Sequence, residues 1–138
     1  MAIAAKLGHV TSTGGAEHWA TALHSHGHDL VADEIPPHGG DAGPTPFGYL
    51  LAGLASCTNI TLRMYADRKE WPLDELSVEC TFLREGEGAG AIDRIERVLG
   101  FTGDLDDEQR ARLADIAERT PVTLVVKRGT EVVTSIRS

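Results

Sequence analysis

The 138-residue sequence lacks the marks of a nucleic-acid, membrane or disulfide-framed protein. It has no basic stripe: 13 Lys and Arg stand against 21 Asp and Glu, a formal net charge of −8. The acidic excess lies mainly in the second half, where residues 70–138 carry 15 acidic and 9 basic groups. Phosphate backbones are held largely by Lys and Arg, so nucleic-acid binding has no electrostatic footprint here. No segment approaches the ~18 uninterrupted apolar residues of a membrane span, and Lys6 and His9 interrupt the weakly apolar start. Neither a membrane helix nor a secretory signal is expected, and the expected location is cytoplasmic. Cysteine is scarce: Cys57 and Cys80 have 22 residues between them, with no C-x-x-C and no Cys–His metal spacing. That excludes a disulfide framework and a multi-cysteine zinc site, and no cofactor is implied. Two buried thiols, a pair that meets in space and one reactive thiol all stay open. There is also no G-x-S-x-G elbow, P-loop or strand-borne G-x-G-x-x-G. The glycines of Gly39-Gly40-Asp41-Ala42-Gly43 are not followed by Lys-Ser/Thr, which argues against phosphate binding.

The length predicts a single domain over 1–138, large enough to bury about two-thirds of its unfolded surface. Residues 6–35 read as a short β-meander: Lys6–Thr13, a Gly14-Gly15 turn, Trp19–His24, a Gly27 break, and His28–Ile35. All six histidines (His9, His18, His24, His26, His28, His38) fall in or just after it. His24, His26 and His28 share parity, so an unbroken strand would set three imidazoles on one face, a possible metal site. Gly27 argues against that continuity, and a solvated strand end is the simpler reading. Thr45 and Pro46 suit the N-cap and first position of a helix predicted from Phe47 to about Arg68.

Between Phe47 and Leu62 that helix has no charged residue, and its polar side chains are small: Ser56, Thr58, Asn59 and Thr61. A helix apolar all round is buried all round, and one chain of this size struggles to cover it. An intertwined homodimer is therefore expected. Trp71-Pro72 ends the helix. Leu76–Arg84 alternates with Leu76, Val78, Cys80 and Phe82 on one face, and Ile92–Phe101 returns, with Ile92, Arg94, Glu96 and Val98 alternating unevenly with Ile95 and Leu99. Asp106 and Gln109 form a capping-box pattern for a helix to about Arg119, with Leu113, Ile116 and Ala117 inward. Val122–Lys127 and Glu131–Ile136 read as a final hairpin turning at Arg128-Gly129. The fold class is α+β, with a buried central helix packed against antiparallel sheets.

Cys57 lies near the middle of the first helix, where apolar surroundings favour an inert thiol unless a cation or backbone donor reaches it. Cys80, between Val78 and Phe82 on an inward strand face, reads as a small core residue. Asp106, Asp107 and Glu108 are more simply a helix cap than an acid–base pair. Trp19 and Trp71 could line a pocket, although core packing is the commoner use.

Gly43-Pro44-Thr45-Pro46, followed by Leu50-Leu51-Ala52-Gly53-Leu54-Ala55-Ser56-Cys57-Thr58, resembles the signature of the OsmC/Ohr family of osmotically induced and organic-hydroperoxide-resistance proteins. Thr61–Lys69 with Trp71-Pro72-Leu73 is similar to its OsmC-like, peroxiredoxin-like branch. Gly27–Glu34, Ile92–Ile95, Gly103–Arg112 and Ile116–Val122 extend the resemblance over nearly the whole chain. It implies an α+β homodimer whose active members reduce organic hydroperoxides. A thiolate in the central helix attacks the peroxide and becomes a sulfenic acid, and a later cysteine resolves it to a disulfide.

Cys57 occupies the peroxidatic position, and Thr120 occupies the position of the resolving cysteine, where a threonine forms no disulfide. Gly48 stands where the family commonly places a glutamate. Ala16, after Gly14-Gly15, stands where the hydroperoxide branch has an activating arginine. The resemblance thus implies two functions to separate. One is a one-cysteine peroxidase through Cys57, with an organic hydroperoxide as substrate and an external thiol as reductant. The other is a catalytically degenerate member that binds an apolar small molecule or a protein partner.

Overall fold

The computed structural model describes residues 4–16 and 19–137, and His18 lies outside them. The chain divides into two compact units, Met1–Leu50 and Leu51–Ser138.

In the first unit, β1 (Thr11–Gly14), β2 (Thr21–Ser25) and β3 (His28–Ala32) form an antiparallel sheet in that order. β1 starts at Thr11 rather than Lys6, because its ladder runs only as far as its partner: Thr11 faces His24, and β2 ends at Ser25. Gly14 belongs to the strand, facing Thr21. β2 and β3 are joined by His26 and Gly27, both at positive φ (53° and 79°), the geometry of a tight two-residue hairpin turn. This turn breaks the strand at Gly27, so the three histidines that an unbroken strand would set on one face are separated. His24 hydrogen-bonds Asp29 at 2.9 Å, His26 is in the turn, and His28 faces Ser25.

After β3, buried Asp33 organises the loop. Its carboxylate accepts from the backbone N–H of Glu34 (2.7 Å), Gly40 (3.1 Å) and Ala42 (3.1 Å). Three peptide donors on one carboxylate satisfy a charge that burial would otherwise penalise heavily. Trp19 is exposed and stacks on His38 with ring centroids 5.5 Å apart, a surface pairing in place of core packing.

Helix α1 (Pro46–Arg68) opens where the Thr-Pro pair predicts, with Thr45 Oγ1 accepting the Gly48 N–H at 3.0 Å. It ends before Glu70, which turns the chain at φ 58°.

In the second unit, β4 (Leu73–Glu85) and β5 (Ile92–Gly103) make a long antiparallel hairpin. The register Leu76↔Phe101 to Glu85↔Ile92 is continuous, and one extra β4 residue before Leu76 makes a bulge. Beside the bulge Gly103 takes φ 116°, and a Cβ there would collide with the Pro72 carbonyl, so glycine is required. Helix α2 (Asp107–Ala117) starts with a complete capping box: Asp106 accepts from Gln109 N at 2.7 Å, and Gln109 accepts from Asp106 N at 2.9 Å. It stops at Ala117, two residues short of Arg119, because Thr120 and Pro121 begin a new helix.

That helix, α3 (Pro121–Arg128), replaces the first strand of the expected C-terminal hairpin. Thr120 caps it, Pro121 pre-sets the first turn, and Lys127 and Arg128 sit against its carbonyl end. These signals, with burial of Thr123, override the β-preference of the valines. Residues 131–137 form no regular element, and Val132, Val133 and Ile136 are exposed.

The core of this unit is Leu62 and Ala66 of α1 with Leu73, Leu105, Leu113 and Ala117, flanked by Tyr65, Trp71, Leu76, Leu99, Phe101 and Ile116. Each fully buried leucine contributes roughly 2–3 kcal/mol of transfer free energy. With helices and antiparallel sheets in separate segments, the chain is α+β.

Candidate functional site

Cys57 lies midway along α1. The helix buries Leu54, Thr58, Leu62 and Ala66, a stripe repeating every fourth residue. Another stripe, through Gly53, Ser56, Ile60 and Met64, is exposed, with Ile60 60% and Met64 56% accessible. One chain therefore covers only part of the helix circumference, in keeping with the expectation that a chain of this size struggles to bury it alone. At 100° per residue, Cys57 projects between the two stripes. It is a free, half-buried thiol whose sulfur lies 4.0 Å from Thr61 Oγ1.

Among the described residues, no cation hydrogen-bonds the Cys57 sulfur. Arg63 is committed elsewhere, donating to the carbonyls of Leu73 (2.6 Å) and Asp74 (2.7 Å). Cys80 is also a free, half-buried thiol, on the inward face of β4 opposite Arg97. Burial pushes the Cys80 thiol up, and the positive charge of Arg97 offsets this in part.

The most connected polar side chain of this unit is Arg97. It lies on the same face of β5 as Ile95, Leu99 and Phe101, and its side chain is only 12% exposed. One terminal nitrogen donates to Thr58 Oγ1 (3.1 Å) and Thr123 Oγ1 (2.9 Å). The other donates to the Ala117 carbonyl (2.9 Å) and Glu118 Oε2 (3.0 Å). A rigid guanidinium fork thereby ties β5 to α1, to the end of α2 and to α3. Lys127 donates to the other Glu118 oxygen at 2.9 Å. Hydrogen bonding from Lys127 first, then from Arg97, holds the Glu118 carboxyl below its usual range. Reading the β5 alternation through Ile92, Arg94, Glu96 and Val98 missed Arg97. The usable signal was an arginine in phase with Ile95, Leu99 and Phe101.

Thr120 is fully buried and belongs to the same network. Its hydroxyl lies 2.6 Å from Thr123 Oγ1 and accepts the Thr123 N–H at 3.3 Å as the cap of α3. Hydroxyls thus lead from Thr120 through Thr123 and Arg97 to Thr58, the residue next to Cys57. Gly48, which the sequence resemblance sets at a family glutamate position, lies in the first turn of α1, where its N–H is capped by Thr45. Ala16 follows Gly15 beyond β1.

A cleft of about 530 Å³ opens beside this network, lined by apolar Leu54, Phe82, Ile95 and Val126 and by charged groups that include Arg94, Arg97, Glu118 and Lys127. Neither cysteine lines it. None of the helices among the described residues is long and apolar enough to cross a membrane.

The family model described as OsmC-like protein matches residues 38–135, most of the chain, including α1 with Cys57 and all of α3. The chain belongs to the OsmC-like family. No curated protein matches it. Among solved structures, this OsmC-like chain is similar to the OsmC-like protein of Mycoplasma pneumoniae, with 21% identity, a TM-score of 0.77 and 88% of each chain covered. An organic hydroperoxide resistance protein OsmC of Legionella pneumophila aligns at 20% identity and TM-score 0.70, covering 92% of this chain and 93% of that one. The organic hydroperoxide resistance protein OhrB of Bacillus subtilis aligns at 24% identity and TM-score 0.63, with 90% and 92% covered. At these identities the likeness is one of fold.

Proposed function

We propose that this OsmC-like protein is a cytoplasmic, homodimeric, one-cysteine thiol peroxidase that reduces organic hydroperoxides through Cys57. The observation that carries the reading is the position of Cys57. It is a free, half-buried thiol midway along the central helix, where the sequence resemblance puts the family's peroxidatic cysteine. The organic hydroperoxide resistance proteins among its fold relatives support the substrate class.

The chemistry balances with an external thiol. The Cys57 thiolate attacks the terminal peroxide oxygen, the O–O bond breaks, and the leaving alkoxide takes a proton to become the alcohol. The sulfur is left as a sulfenic acid. One external thiol condenses with it to a mixed disulfide and releases water. A second thiol displaces Cys57 and leaves as the oxidised disulfide. The cycle needs no internal resolver: Thr120 has a buried hydroxyl where a sulfur would be needed, and Cys80 is a free thiol in this structure.

The dimer follows from the exposed α1 stripe. Burying Ile60 and Met64 against a second copy removes large apolar side chains from water, and Gly53 and Ser56 allow close backbone approach. Such an interface also brings partner side chains towards the edge of the stripe where Cys57 lies. A second reading, a catalytically degenerate OsmC-fold protein that binds an apolar small molecule or a protein partner, draws on one observation: no described cation hydrogen-bonds Cys57.

Consumption of cumene hydroperoxide with dithiothreitol as reductant separates the two. The peroxidase reading expects turnover by the native chain and by Cys80→Ser, and none by Cys57→Ser. Equal consumption by all three, or by none, overturns it.

A further inference from the structure

The chain has two tyrosines, Tyr49 and Tyr65, and both are half-buried. Their hydroxyls are bonded in opposite senses. Tyr49 donates its proton to the Val31 carbonyl at 2.7 Å, a bond that exists only while the phenol is protonated. Tyr65 accepts instead: Arg112 Nε, which can only donate, lies 3.1 Å from its oxygen. Among the described residues, no acceptor takes the Tyr65 proton.

Positive charge surrounds the Tyr65 ring. Lys69 Nζ and Arg112 Cζ each lie 5.7 Å from its centroid, and Trp71 packs edge-on with ring centroids 5.5 Å apart. Arg112 is steadied by Asp115, to which it donates at 2.9 Å, and Arg119 shares that carboxylate. The ring packs on the core of Leu62 and Leu113, while its hydroxyl meets an arginine whose side chain is about half exposed. The Arg112 hydrogen bond lowers the Tyr65 phenol from its usual value. Burial opposes this, and the charges of Arg112, Lys69 and Arg68 add to it.

We propose that Tyr65 is a modification site for electrophiles of the nitrating class, and that Arg112 selects it over Tyr49. The phenolate is the reactive form. Its ortho carbon takes a nitro group as the donor's bond to nitrogen breaks, and the bonding pair leaves with the donor. The displaced ring proton passes through water to the phenolate oxygen, giving 3-nitrotyrosine. The product is a stronger acid than tyrosine, so it sets a negative charge against Arg112 and Lys69, across the contact of α1 with α2. This site is independent of the chemistry of Cys57.

Tetranitromethane, added to the full chain in excess over its two thiols, tests this; its leaving group is trinitromethanide. Trypsin separates the tyrosines, because Arg63 and Arg68 bracket the peptide Met64–Arg68. By peptide mass, nitration of Tyr65 is expected to run about fivefold ahead of Tyr49. The same ranking is expected in Cys57→Ser with Cys80→Ser, which removes thiol oxidation as a cause. Arg112→Gln is expected to slow Tyr65 about threefold and to leave Tyr49 unchanged. The visible titration of the nitrated native chain should lie at lower pH than that of nitrated Arg112→Gln, a shift that lost packing alone would not give. The comparison of the two tyrosines needs no change at position 112, so it decides even if that variant is unstable. Tyr49 nitrated as fast as Tyr65 in either chain, Tyr65 left unmodified, or an Arg112→Gln rate equal to the native one would each overturn the proposal.

Discussion

Arg97 on β5 donates a hydrogen bond to Thr58 Oγ1 at 3.1 Å, and so grips helix α1 one residue beyond the candidate nucleophile Cys57. The same guanidinium holds Thr123 of α3 and the end of α2. Removing it leaves the hydroxyls of Thr58 and Thr123, the Ala117 carbonyl and one Glu118 oxygen each short of a partner. Arg97→Met is expected to cost about 2–4 kcal/mol in urea unfolding. Arg97→Lys should recover less than half of that, since a lysine offers a point charge in place of a fork.

Thr120 makes the α3 cap and a 2.6 Å hydroxyl contact with Thr123. Thr120→Ala is expected to destabilise by about 1 kcal/mol, and Thr120→Ser by only a few tenths. The Thr120→Cys variant bears on chemistry. If position 120 is where the family resolves its sulfenic acid, peroxide treatment of that variant yields an internal disulfide between Cys57 and the introduced thiol, seen as a loss of two hydrogens by intact mass. Absence of that species would remove the positional argument for Thr120.

Acid sensitivity follows from Glu118. Its pKa is depressed in the folded chain, first by Lys127 and then by Arg97. A depressed carboxylate contributes stability above its unfolded pKa and loses it as pH falls through the folded value. Stability is expected to decline progressively below about pH 4.5, near the ordinary range of a glutamate. Asp115, held low chiefly by Arg119, and Asp93, held low by Arg84, act in the same direction. Glu118→Gln should therefore flatten the acid limb of the pH–stability curve without abolishing it.

Much of the fold was legible in the sequence, and the misses share a physical cause. Helix α1 follows from the Thr45-Pro46 start and the apolar run, α2 from the Asp106/Gln109 box, and the β4–β5 hairpin from the period-two pattern of Leu76 to Phe82. These are local signals, and local energetics decide them. Helix α3 was missed because Val122, Val125 and Val126 favour strand by propensity, while the Thr120-Pro121 start and burial of Thr123 favour helix. For Arg97, a lone charge on a strand reads as solvent-facing until its partners are known, and they come from three helices distant in sequence. Cys57 was visible through the motif around it. The open cleft was not, because Leu54, Phe82, Ile95 and Val126 meet only in space.

The proposed dimer is open to a direct check. Sedimentation at micromolar concentration should give twice the chain mass, and Ile60→Glu with Met64→Glu should shift it towards the single chain. These side chains are exposed within the chain, so their replacement leaves the core of Leu62, Leu105 and Leu113 intact. By contrast Leu113→Ala, at a fully buried site, is expected to cost about 2–5 kcal/mol of stability.

On the proposed function, Cys57 is oxidised by an organic hydroperoxide and waits as a sulfenic acid for an external thiol. Its most direct test is intact and peptide mass after treatment with cumene hydroperoxide in the presence of a sulfenic-acid trap. One trap adduct per chain is expected, located on Cys57 and absent from Cys57→Ser. An untouched Cys57 with the peroxide unconsumed would contradict it.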